Sequence, residues 1–140
     1  MKVRTEATIT VEMCRANPDE IFVFGDNLVH AGKRKGAGQA EIRDEPNAFG
    51  IPTKRLPSTK DDAYFTDQPD EIEAVKTRLR ELYKLARTKR IVFPSAGIGT
   101  GRAKMAAKSP KAWAEMTRIL SDFFEFENGQ KVKGAQKLKP

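Results

Sequence analysis

Two glycine-rich stretches hold the residues best placed to do chemistry. The first runs Gly25-Asp26-Asn27-Leu28 and resumes at Gly36-Ala37-Gly38-Gln39-Ala40; the second is Ser95-Ala96-Gly97-Ile98-Gly99-Thr100-Gly101. Each follows a short β-branched and aromatic run, Ile21-Phe22-Val23-Phe24 and Ile91-Val92-Phe93-Pro94, the composition of a strand buried on both faces. Glycine lets backbone approach a ligand closely, and a helix that follows adds free N–H groups and a positive end. Open α/β sheets bind ligands at the carboxyl ends of their strands. Two such loops side by side predict a site for two phosphates, or for a diphosphate lying between them. Neither loop carries the Gly-Lys-Ser/Thr of a nucleotide-binding P-loop, and neither supplies the full dinucleotide-binding spacing.

Other residues have a chemical reading and a plainer one. Asp26 and Asn27 can contact a ribose or a reacting centre, or can close the strand in an Asx turn. Lys54 can act as a nucleophile or hold a phosphate, or can be a solvated lysine beside Arg55. His30 lies in a polar loop and reads as exposed, and Cys14 reads as a small apolar filler. One cysteine and one histidine exclude an internal disulfide, a cysteine-based zinc site and a two-histidine metal site. No metal or cofactor is expected, so chemistry falls to carboxylates, lysines, hydroxyls and backbone groups.

The elements that must position these groups alternate. Residues 7–13 read as a strand, 17–20 as a turn, 21–24 as a buried strand, 36–45 as a loop and short helix, and 48–51 as a strand ended by Pro52. Residues 52–68 read as an irregular excursion. A helix is predicted over 68–86, with Ile72, Val75, Leu79, Leu82 and Ala86 on one face, Asp67 as its cap and Pro69 in its first turn. After the strand at 91–94 comes a last helix over 110–126, with Trp113, Met116, Ile119, Leu120, Phe123 and Phe124 as core anchors. This order predicts a single α/β domain over residues 1–128, a central mixed sheet flanked by helices, followed by a basic tail over 129–140.

The 140 residues carry 26 Lys+Arg against 19 Asp+Glu, a formal charge of +7. Such an excess favours an anionic partner. Four of these charges, Lys131, Lys133, Lys137 and Lys139, belong to the tail, and Lys84, Arg87, Lys89 and Arg90 complement the negative end of a helix. Lys33-Arg34-Lys35 remains beside the first glycine stretch, a rim suited to a diphosphate better than to a polymer. No apolar run is long enough to span a membrane, and the charged start does not fit a signal peptide. A cytoplasmic protein with no membrane partner is expected.

Phe22-Val-Phe-Gly-Asp-Asn-Leu28, Gly36-Ala-Gly-Gln-Ala40, Pro46 to Arg55 and Ala96-Gly-Ile-Gly-Thr-Gly101 resemble a group of small phage and bacterial proteins that is similar to macrodomains. The resemblance covers roughly residues 7–125. It implies binding of ADP-ribose or a related nucleotide, free or carried on ADP-ribosylated protein or nucleic acid, with both glycine loops around the diphosphate. One macrodomain branch removes ADP-ribose from acidic side chains with a lysine and an aspartate. Ile51-Pro52-Thr53-Lys54 is similar to its lysine segment, which makes Lys54 the matching catalytic residue. Ala103 stands where that branch has its aspartate, and alanine transfers no proton; Asp26 is the substitute candidate. Around Ile9 to Met13, where macrodomains have an adenine-recognising aspartate, the only acid is Glu12. The leading expectation is binding of ADP-ribose or an ADP-ribose-derived nucleotide through the two loops, with or without hydrolysis of an ADP-ribosyl bond; the alternatives are phage-type sequestration of a nucleotide signal without catalysis, and nucleic-acid binding through the tail and Lys33-Arg34-Lys35.

Overall fold

The computed structural model describes residues 2–32, 38–126 and 129–132. Five strands form one sheet: β1 (Lys2–Glu6), β2 (Glu20–Asn27), β3 (Ala48–Lys54), β4 (Arg90–Pro94) and β5 (Glu125–Phe126), in spatial order β3-β2-β4-β1-β5. Every named strand pair is parallel, so the expected mixed sheet is a parallel one. Parallel strands need crossovers; helices α1 (Val11–Ala16), α2 (Pro69–Leu85), and α3 (Met105–Lys108) with α4 (Pro110–Phe123) lie in three of them, and the β2-to-β3 connection holds a 3-10 stretch.

Both faces of the sheet are covered, as the continuous apolar runs require. Phe22, Phe24 and Val92 pack with Cys14, Ala40 and Ile42 on one side. Val23, Ile91 and Phe93 pack on the other side with Val75, Leu79 and Leu82 of α2 and Met116 and Leu120 of α4. Burial pushes the Cys14 thiol up to about 11, in keeping with its role as filler.

Four local readings change. Residues 7–13 are not a strand: β1 lies earlier, and Thr10 accepts a hydrogen bond from the Met13 N–H to start α1. The Thr10 hydroxyl, midway along this apolar alternation, captures the helical start that period alone conceals. The helix expected at 36–45 is, within the described residues, a 3-10 stretch from Gly38 to Ile42. Strand β3 continues through Pro52 to Lys54, since an edge strand tolerates a missing N–H. Asp67 does not cap α2. Glu71 reaches back to the Gln68 N–H to cap it, while Asp67, at φ 62°, accepts from the N–H groups of Lys111 and Ala112 at the start of α4.

The last helix also ends early, at Phe123, which is 45% exposed, whereas Phe124 and Phe126 are buried. Trp113 is only partly buried against the core. Gly129–Val132, assigned above to the tail, fold back: the Phe126 N–H donates to the Gln130 carbonyl, and Val132 is fully buried. Residues 133–140 lie outside the described residues. No described helix is long and apolar enough to cross a membrane.

Candidate functional site

Strands β2, β3 and β4 all point their carboxyl ends the same way, and a cleft of about 750 Å³ opens there. Of the residues singled out from sequence, Gly25, Asp26, Asn27, Gly38, Gln39, Ala40, Lys54, Gly99, Thr100 and Gly101 line it. Leu28, Ser95, Ala96, Gly97 and Ile98 do not. Leu28 packs on the larger core cluster and Ile98 is fully buried. The Ser95 N–H donates to Glu6, and the Ala96 carbonyl accepts from Thr100 Oγ1. Gly36, like Lys33-Arg34-Lys35, lies outside the described residues.

The two loops are tied together by Gln39. Its Oε1 accepts from the Gly25 N–H at 3.0 Å and its Nε2 donates to the Gly97 carbonyl at 2.9 Å. Its amide therefore acts as a strut between the loops. Gly97 and Gly99 adopt φ 86° and 78°, the left-handed region that favours glycine. Among the described residues, the backbone N–H groups of Gly99, Thr100, Gly101 and Arg102 take no partner. The helix expected to present its N-terminus behind the second loop is only the four-residue α3. The cleft therefore offers loop backbone and side chains rather than the N-terminus of a long helix.

Asp26 forms part of the floor and is 6% exposed. Arg43 places Nε and Nη2 each 2.9 Å from Oδ1, and His30 Nδ1 lies 3.0 Å from Oδ2. His30 is mostly exposed, as expected, but it partners the carboxylate. Both carboxylate oxygens of Asp26 are thus engaged by side-chain partners. Asn27 makes the Asx turn: its Oδ1 accepts from the N–H groups of Val29 and Ala31, and its Nδ2 donates to the Ala31 carbonyl.

Lys54 donates to the Ser58 carbonyl and lies over the Tyr64 ring at 4.9 Å. Partial burial, helped by the nearby Arg102 charge, lowers its pKa. Sequence reasoning missed Arg43, Thr53, the wall at Leu56, Pro57, Ser58 and Thr59, and Arg102. Arg43 falls at the end of a segment read as an ordinary helix, and nothing local marks it as the partner of a carboxylate 17 residues earlier. Among the described residues, no group of His, Cys, Asp or Glu is arranged to hold a metal.

Residues 4–119 match a family of unknown function, DUF7831. The chain belongs to that family. The DUF7831 match begins in β1, ends in α4 and includes every residue that lines the cleft. No curated protein and no solved structure matches the chain.

Within this DUF7831 fold, Gly50 makes room for the floor. A methyl group there would sit 2.8 Å from Asp26 Oδ2 and 2.9 Å from both Asp26 Cβ and Phe24 Cζ. Gly50→Ala is therefore expected to cost about 1–3 kcal/mol through overpacking. The measurement is a thermal melt, with a fall of about 3–10 °C expected at this chain length. An unchanged melting temperature would mean that the floor is looser than the contacts imply.

Proposed function

We propose that the cleft binds ADP-ribose or a nucleotide derived from it, with the diphosphate between the two glycine loops. The observation that carries this reading is the convergence of both loops on one cleft whose lining, among the described residues, holds three cations, Arg43, Lys54 and Arg102, against a single carboxylate. That carboxylate, Asp26, is already paired with Arg43, so the site presents net positive charge to a ligand. The unpartnered loop N–H groups supply donors of the kind that anions take. The resemblance of the loop sequences to macrodomains supports a diphosphate-bearing nucleotide of the ADP-ribose type.

Binding without turnover is the favoured form. Ala103 lines the cleft where an acid would be needed, and Asp26 has no free oxygen to serve as a base. Calorimetric titration with ADP-ribose tests the reading. One-to-one binding is expected, with the recovered ligand chemically unchanged, and ligand at 100 times its dissociation constant should add about 2.7 kcal/mol of stability. Absence of heat at high micromolar ligand, with the protein folded, would overturn it. Release of ribose or of a carrier from a modified substrate would instead favour the hydrolytic form.

A further inference from the structure

Lys54, Arg102 and Lys108 form a group of cations that the reading above uses only in part. Lys54 Nζ and Lys108 Nζ approach the same Tyr64 ring, at 4.9 and 4.8 Å from its centroid. The two nitrogens are thus no farther apart than those two distances laid end to end. Tyr64 is itself buried and bridges to Lys54 through the backbone. Arg102, on the second loop, lines the same cleft as Lys54. Among the described residues none of the three has a carboxylate partner. Asp61 and Asp62, which head the turn before Tyr64, make no ion pair with them. The like charges of Lys54 and Lys108 at one aromatic ring repel one another, and cation–π attraction at a surface offsets this by only about 0.5–1 kcal/mol each. A bound anion removes the repulsion.

We infer that Lys54 and Lys108, which share the Tyr64 ring, form with Arg102 of the cleft lining a phosphate subsite that takes anionic groups of the ligand beyond the diphosphate. The inference rests on the proposed nucleotide reading and deepens it. The cleft supplies Lys54 and Arg102, and Lys108 continues the positive strip outside it. The shared chemistry is a further phosphate, which either a free nucleoside polyphosphate or the phosphodiester chain of a single strand can supply.

The test titrates the full chain and its Lys108→Gln variant with ADP-ribose, ADP, adenosine 5′-tetraphosphate and a five-nucleotide single-stranded DNA. Lys108 is exposed and lies outside the cleft lining, so the variant should fold normally and bind ADP-ribose unchanged. Wild type is expected to bind the tetraphosphate about 5- to 20-fold tighter than ADP, the scale of one or two charge-assisted contacts. In Lys108→Gln that gain should fall below about 3-fold, and Lys108→Arg should restore it. Salt-sensitive, Lys108-dependent competition by the oligonucleotide would assign the phosphate to a strand; its failure to compete, with the tetraphosphate gain intact, would assign it to a free nucleotide. An equal gain in wild type and variant, or no gain while ADP-ribose still binds, would overturn the subsite alone. Failure of every nucleotide to bind would overturn the subsite together with the reading beneath it.

Discussion

Replacing Arg43 with methionine should destabilise the fold by about 3–5 kcal/mol, the typical cost of stranding a buried charge. Asp26 is almost wholly enclosed, and among the described residues the side-chain partner left without the guanidinium would be His30, whose side chain is 62% exposed. Urea denaturation provides the measurement, with the midpoint falling at a constant slope. The double variant Arg43→Met with Asp26→Asn is expected to recover part of the loss, because a neutral amide needs no counter-charge. A single-variant cost below about 1 kcal/mol would show that the pair is surface-like and that Asp26 retains freedom to act as a base.

Glu71→Ala is expected to cost about 3 kcal/mol, from lost charge-assisted bonds and an unfilled site. Glu71 is fully buried, and its Oε1 accepts from the N–H groups of Thr66 and Gln68 at 2.8 and 2.9 Å. Its Oε2 takes Arg55 Nε at 2.5 Å. These bonds pin both ends of the excursion that carries Leu56, Pro57, Ser58 and Thr59 as a wall of the cleft. Amide hydrogen exchange should therefore quicken across residues 55–68 in the variant more than in β2 or β4. Uniform exchange across all three regions would contradict this local role.

The parts of this fold that were legible in the sequence are those where local chemistry and tertiary contacts agree. Ile21 to Phe24 and Ile91 to Pro94 announce buried strands because both faces are apolar, and Val75, Leu79 and Leu82 mark the inner face of α2. Strand β1 was not legible, since Lys2–Glu6 has one buried residue, Val3, and is held by pairing with β4 and β5. Asp67 misleads for a similar reason: it stands beside one helix but caps another 44 residues later. In the cleft, the glycine loops could be read because backbone freedom leaves a trace in composition. Arg43 could not, because ion pairing between distant residues leaves none. The position of Lys54 was readable as a strand end, but its contacts with Ser58 and Tyr64 depend on how the excursion folds back.

The amide of Gln39 has a consequence for selection. It donates to one loop and accepts from the other, so the gap between the loops is set by a single side chain of fixed length. A ligand that matches the gap leaves both bonds intact. A longer or shorter one must break a bond or leave part of its charge unmet. If a ligand lies between the loops as proposed, its length would be matched against a residue that it need not touch, and Gln39→Glu would corrupt that ruler by turning its donor into a second acceptor facing the Gly97 carbonyl.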